Sequence, residues 1–182
     1  HTPEECGIDC TYELEETIKS ATTGRPAAFI AESIQGNAGI IVPPKNYFKR
    51  VKEILDHYGI LFIADEVQTG FARTGKMFAI EHFGVAPDIM TMAKALGNGA
   101  PISAFIATPE VADTYTKPGA STLGGNPVST TAGLQVIRYI EEHDLMGNAD
   151  RRGAQLRAGL REIQKRHPII GDVRGLGLMV GA

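Results

Sequence analysis

Short continuous apolar runs alternate with amphipathic segments along the first part of the chain. Runs of strand length occupy residues 27–31, 60–64, 89–93 and 102–107. Residues 45–58 instead place apolar side chains at helical spacing, and Gly59 supplies a C-terminal stop. Strands that are apolar on both faces and alternate with helices are typical of parallel sheets. The pattern therefore predicts an α/β fold, with a largely parallel sheet and flanking helices.

The second part of the chain has a different pattern. Two long helices and a final strand are predicted at residues 130–143, 149–167 and 172–180. We expect residues 1–146 to be part of a large domain and residues 147–182 to begin a smaller C-terminal domain. Because the chain stops directly after an apolar run, we also expect it to be a piece of a longer polypeptide.

Three charged residues follow directly after three of the apolar runs: Glu32, Asp65 and Lys94. In an open α/β sheet the ligand site lies beyond the carboxyl ends of the strands. A lysine that leaves a buried strand loses hydration, which favours the neutral, nucleophilic amine. Such lysines bond to carbonyl substrates and to pyridoxal phosphate, a cofactor that also needs a carboxylate at its ring nitrogen. On spacing alone, a structural ion pair between Asp65 and Lys94 is an equal alternative.

Neighbouring motifs allow other interpretations. Glu66 points away from Asp65 in an extended chain, so a structural role is favoured for Glu66. Residues 70–76 match the glycine and lysine pattern of a phosphate-binding loop, but Met77 stands where that loop needs Ser or Thr. The polar, glycine-rich residues 121–127 suit a phosphate group or a simple helix cap.

Composition and charge exclude several classes of protein. The 182 residues are 43% hydrophobic and 21% charged, as in ordinary globular proteins. A net charge of -3 gives no basic footprint for nucleic acid or an anionic membrane surface. No apolar run reaches the roughly 18 residues of a membrane span, and the cytoplasm is the default compartment. Cys6 and Cys10 are interpreted as ordinary thiols, because structural zinc usually has four ligands.

Four segments carry a further signal: residues 63–75, 87–99, 122–127 and 173–179. Together they resemble the class-III, or ω-type, pyridoxal-phosphate-dependent aminotransferases of fold type I. Two further positions indicate the subgroup. Asn37 stands where relatives acting on γ- or δ-amino groups commonly carry a glutamate, and Ser33 replaces the usual proline. The pattern is closest to the alanine–glyoxylate type.

The resemblance implies a role for each of four residues at a pyridoxal 5'-phosphate site. Lys94 would form the Schiff base with the cofactor and then move the proton between substrate carbon and cofactor. Asp65 would pair with the pyridinium nitrogen, and Gln68 would hydrogen-bond the phenolic oxygen of the ring. Val67 would pack against one face of the ring.

The resemblance also implies a partner subunit and a reaction. Glu32 would lie near the cofactor and help order the site. Thr122 would bind the cofactor phosphate of the neighbouring subunit, which implies a homodimer. The reaction would move an amino group from an amine or amino acid to a 2-oxo acid. Lyase, decarboxylase or mutase chemistry with the same cofactor is an alternative, and a non-catalytic truncated core is another.

Overall fold

A four-stranded sheet lies at the centre of the computed structural model, which describes residues 9–182. Its strand order is β1-β2-β3-β4, with parallel pairing between β1, β2 and β3 and antiparallel pairing of β4. The predicted α/β class with a largely parallel sheet is therefore confirmed. The strands are β1 (Ala28–Glu32), β2 (Leu61–Asp65), β3 (Ile89–Met92) and β4 (Ala104–Ala107).

Helices connect and cover these strands. The helix predicted at residues 45–58 begins at Tyr47 and ends where Gly59 adopts a left-handed conformation with φ 65°. Short 3-10 helices occupy Ala79–Phe83 and Lys94–Gly97. The α-helices are α1 (Cys10–Ser20), α2 (Tyr47–Tyr58), α3 (Pro109–Ala112), α4 (Pro127–Glu142) and α5 (Leu145–Gln164), of which α1 and α3 were not predicted.

The main core lies between α2 and β2. Phe48 and Leu55 of α2 are fully buried beside Phe62 of β2. The Phe48 ring stacks on Phe62 at a centroid distance of 5.6 Å and meets the edge of Phe83 at 5.1 Å. Burial of large aromatic side chains contributes most of the stability of such a core. This packing fixes β2 in the middle of the sheet, so the residues directly after it have a defined position.

The prediction of a single strand at residues 172–180 is wrong. These residues make an antiparallel hairpin of β5 (Arg174–Leu176) and β6 (Met179–Gly181). The chain reverses at Gly177, which has φ 51° and lies so close to Thr74 that a Cβ atom there would be 2.5 Å from the Thr74 carbonyl carbon. The predicted boundary at residue 146 falls inside the first turn of α5 and stays a prediction.

The helices within residues 9–182 are between 4 and 20 residues long. No helix in this range has both the length and the hydropathy required to cross a membrane. The same residues contain no group of three His, Cys, Asp or Glu side chains arranged to hold a metal ion. Cys6 lies outside the described residues, so the interpretation of the two cysteines is tested only at Cys10, which is exposed.

Candidate active site

The carboxyl ends of the three parallel strands lie side by side. Glu32 pairs in register with Asp65, and Asp65 pairs with Thr91. Lys94 follows two residues after the end of β3. Parallel pairing therefore brings Glu32, Asp65 and Lys94 to one edge of the sheet, as the sequence predicted.

Asp65 holds its carboxylate in a fixed orientation at this edge. Its Oδ1 atom accepts a hydrogen bond from the backbone N–H of Val67 at 3.0 Å and another from the Thr91 hydroxyl at 3.3 Å. Its Oδ2 atom accepts none from residues 9–182. One oxygen therefore orients the side chain, and the other remains able to accept a hydrogen bond from a ligand.

Lys94 has an unusual backbone conformation. Its φ of 43° lies in the left-handed region, which costs a residue with a Cβ atom about 1–2 kcal/mol. Two residues further on, Leu96 is buried against Gly133 of α4. Retained strain of this kind is typical of functional sites.

The side chain of Lys94 differs from two of the sequence-based expectations. The side chain is exposed where it lines an open cavity. The expected loss of hydration is therefore wrong for Lys94 in the part of the chain that the structure describes. Its amine forms no ion pair with Asp65, since none of the salt bridges among the described residues includes either side chain. The structural ion-pair alternative therefore finds no support.

Gln68 lines the same cavity as Lys94, which has a volume of about 500 Å³. The Gln68 amide lies directly over Gly36, where an added Cβ atom would be only 2.0 Å from Oε1. The N–H of Gly36 donates to Glu32 Oε2 at 2.9 Å. Glu32 therefore orders the loop against which Gln68 lies.

Asp65 and Glu32 line a second cavity, of about 790 Å³, along the outer side of β1. The structure thus places Lys94 with Gln68 in one cavity and Asp65 with Glu32 in another. The larger cavity is open because β1 is an edge strand within residues 9–182, and its Ile30 is 60% exposed. The Glu32–Gly36–Gln68 contacts connect the two cavities.

Thr122 lies apart from the Lys94 cavity. It is exposed in the loop before α4 and is not among the residues that line either cavity. Its neighbours Ser121 and Leu123 instead line a separate small cavity at the start of α4. A single chain therefore does not bring Thr122 to Lys94, and its predicted role in a neighbouring subunit stays a prediction.

Glu66 faces the opposite way from Asp65. It is fully buried and accepts hydrogen bonds only from inside the described protein, which confirms its predicted structural role. Gly36 and the β5–β6 hairpin, which supplies Leu178 and Val180 to the Lys94 cavity, were not predicted as parts of the site. The available signal for Gly36 was the glycine itself, because a side chain can approach the backbone this closely only where no Cβ atom is present.

These features define the class of protein. An open α/β sheet carries a primary amine, an amide and a carboxylate at the carboxyl ends of adjacent strands, which is where enzymes of this architecture bind ligands. The chain belongs to the class-III aminotransferase family, whose model matches residues 3–182. The family predicted from the sequence motifs is confirmed.

Three known proteins illustrate the similarity. A leucine/methionine racemase from Thermococcus litoralis is 52% identical over 178 residues, covering 94% of this chain and 40% of the relative. Alanine–glyoxylate aminotransferase 2 homolog 2, mitochondrial, from Arabidopsis thaliana is 48% identical over 170 residues, covering 93% of this chain and 36% of the relative. The solved structure of an amine transaminase from an uncultivated Pseudomonas species, in a PLP-bound form, has a TM-score of 0.90 at 39% identity, covering 96% of this chain and 41% of that one.

The chain therefore spans about 40% of the length of these relatives. The part that it spans contains the sheet edge with Glu32, Asp65 and Lys94. The similarity to the solved structure, at 39% identity, extends over nearly all of this chain and supports the same arrangement of strands.

Proposed function

We propose that the complete protein is a pyridoxal-phosphate-dependent aminotransferase, which moves an amino group from an amine or amino acid to a 2-oxo acid. The observation that carries the proposal is the set of Lys94, Gln68 and Asp65 at one sheet edge. Within residues 9–182, the Lys94 amine, the Gln68 amide and Asp65 Oδ2 have no hydrogen-bond partner, so all three remain able to bind a ligand. Membership of the class-III aminotransferase family supports the same reaction.

The residues present fit this cofactor by their chemistry. Asp65 is oriented through Oδ1 by Val67 and Thr91, and Oδ2 can accept a hydrogen bond from a protonated ring nitrogen. Gln68 has an amide N–H that can donate to the ring oxygen. Lys94 supplies the amine that would hold the cofactor covalently.

When bound, pyridoxal phosphate supplies an electrophilic carbon for the amine and a ring that takes up the electron pair released at the substrate carbon. Asp65 would keep the ring nitrogen protonated through its negative charge. Lys94 would take the proton from the substrate carbon with its Nζ atom and return it at the end of the transfer. Exposure of Lys94 in an open cavity leaves its long side chain free to move between these positions.

Three further residues complete the proposed site. Val67, half-buried directly after Asp65 and Glu66, would pack against one face of the ring. Glu32 would act through the N–H of Gly36 and keep Gln68 in place. Thr122, exposed before α4, would bind the phosphate of the neighbouring subunit's cofactor, so the active form would be a homodimer.

The test of the proposal is covalent labelling. Pyridoxal phosphate is added to the complete protein, the complex is reduced with borohydride, and the peptides are mapped. We expect the adduct on Lys94, and a Lys94→Ala variant without adduct or amino transfer. Lys76→Ala is the matched control, because Lys76 is another exposed lysine that lines neither cavity, so this variant should keep both the adduct and amino transfer. Full amino transfer by Lys94→Ala, or an adduct on a different lysine, would contradict the proposal.

Racemisation of an amino acid is a second candidate. The observation that favours it is the relative named a leucine/methionine racemase, which is 52% identical to this chain. Both reactions begin with removal of a proton from the carbon that bears the amino group, so Lys94 would serve either. The two reactions are distinguished by incubating an L-amino acid without any 2-oxo acid and analysing the product on a chiral column. A racemase produces the D-isomer, whereas an aminotransferase needs the 2-oxo acid in one-to-one stoichiometry.

A further inference from the structure

Glu66 is a fully buried carboxylate directly after β2. Its Oε1 atom accepts hydrogen bonds from the Ser33 hydroxyl at 2.6 Å and from the Ile80 N–H at 2.8 Å. Its Oε2 atom accepts from the Ala79 N–H at 2.9 Å and from the Thr69 hydroxyl. The salt bridges among residues 9–182 do not include Glu66, so these four donors alone stabilise its charge.

Burial of the Glu66 carboxylate has a large desolvation cost. Burial of a charge without a cation is strongly unfavourable unless hydrogen bonds offset it. A neutral amide would lose less on desolvation, but the N–H groups of Ala79 and Ile80 donate to different oxygens of Glu66, so one of them would face the N–H₂ group of an amide. A charge that attracts four donors instead fixes each of them more tightly, since hydrogen bonds to a carboxylate are short and strong.

The two hydroxyl donors lie next to residues of the proposed cofactor site. Ser33 follows Glu32, which holds the loop beneath Gln68, and Thr69 follows Gln68 itself. Glu66 follows Asp65. Adjacent residues share a peptide group, so a shift of the buried side chain also shifts its neighbour at the site. The hydrogen bonds of Glu66 therefore anchor the chain directly beside three side chains that line the two cavities.

We propose that Glu66 is a positioning residue, which fixes where Asp65 and Gln68 meet the cofactor ring without touching cofactor or substrate. Ser33 and Thr69 complete the arrangement, because they connect the end of β1 and the turn after β2 to the same carboxylate. This inference rests on the proposed function, since it assigns Asp65 and Gln68 to pyridoxal phosphate. Loss of Glu66 allows the turn to relax and displaces the Asp65 charge from the ring nitrogen.

The test compares variants of the complete protein. Glu66→Gln replaces one acceptor oxygen by an N–H₂ group that faces other donors, while Ser33→Ala and Thr69→Val each remove one donor. Val51→Ala is the matched control, because Val51 is equally buried but lies in α2, outside the arrangement. Each apoprotein is titrated with pyridoxal phosphate, the visible absorption of each complex is followed against pH, and the unfolding of each apoprotein in urea is measured.

We expect Glu66→Gln to weaken cofactor binding by roughly 10-fold to 100-fold, as for other residues that hold binding groups in place. The pH midpoint of the absorption change should also move, because the Asp65 charge acts on the ring nitrogen. Ser33→Ala and Thr69→Val should move both readouts in the same direction by smaller amounts. Val51→Ala should lower resistance to urea and leave the binding constant and the pH midpoint unchanged.

The outcomes separate this inference from the proposed function. If the wild type binds pyridoxal phosphate and Glu66→Gln has the same binding constant and the same pH midpoint, only this inference is overturned. An equal loss of affinity in Val51→Ala would also overturn it, because general destabilisation would then explain the effect. If Glu66→Gln does not fold, Ser33→Ala and Thr69→Val decide by the same criteria. Failure of the wild type to bind pyridoxal phosphate would overturn the proposed function and this inference with it.

Discussion

The contact between α5 and the C-terminal hairpin gives a prediction with a large expected effect. Gly153 of α5 is buried, and a Cβ atom added there would lie 1.7 Å from the carbonyl oxygen of Gly177 at the hairpin turn. Gly177 cannot move away freely, because its other side is against Thr74 and its carbonyl oxygen accepts from Arg157 at 2.9 Å. Gly153→Ala should therefore push the hairpin from its position.

The magnitude follows from three contributions. Cβ atoms essentially never come within 3.0 Å of such neighbours, so the two backbones must separate by more than 1 Å. Forced overpacking costs about 1–3 kcal/mol, and a weakened hydrogen bond from Arg157 costs about 1 kcal/mol more. The better helix propensity of alanine returns about 1 kcal/mol. The net loss expected for Gly153→Ala is therefore about 1–3 kcal/mol.

Gly159 provides a control in the same helix. It is exposed, and an added Cβ atom there meets nothing within 4 Å. Gly159→Ala should raise the free energy of unfolding by roughly 0.5–1 kcal/mol through helix propensity alone. Urea unfolding followed by circular dichroism measures both variants against the wild type. If Gly153→Ala proves as stable as Gly159→Ala, the close contact does not exist and the reasoning fails.

Two other predictions concern the site loop and the α1–α2 contact. Gly36→Ala should leave the free energy of unfolding nearly unchanged but weaken pyridoxal phosphate binding, because the new methyl group displaces only the flexible end of Gln68; an unchanged binding constant would count against this contact. The Tyr58 hydroxyl donates a hydrogen bond to Glu15 at 2.9 Å and is the main cause that lowers the pKa of Glu15 below its ordinary 4.5. The bond therefore stabilises the fold above pH 4.5, and this stabilisation is lost as the pH falls through the lowered pKa. Tyr58→Phe should raise the Glu15 pKa in an NMR titration, and an unmoved pKa would refute the assignment.

The sheet edge could be predicted because its signals are local. Each strand is a short apolar run, and Asp65 and Lys94 come directly after two of them, so parallel pairing alone places them together. The hairpin could not be predicted in the same way. Its turn depends on the fit of Gly177 between Gly153 and Thr74, three positions far apart in sequence. A pattern with a period of two residues shows an extended chain but not where it reverses against other elements.

Residues that line the cavities and residues that anchor them alternate along the chain. At residues 32–33, 65–66 and 68–69, the first member of each pair lines a cavity and the second is fully buried within the Glu66 hydrogen-bond network. At the ends of β1 and β2 the extended chain directs neighbouring side chains to opposite sides. Gln68 and Thr69 instead lie in the turn after β2, and there too the polar residue of the site has its anchor one peptide away. Substitutions of the buried member should therefore change cofactor binding although they touch no ligand. Substitution of Val51, which is equally buried in α2, should change stability alone, because neither Val51 nor its neighbours Arg50 and Lys52 line either cavity.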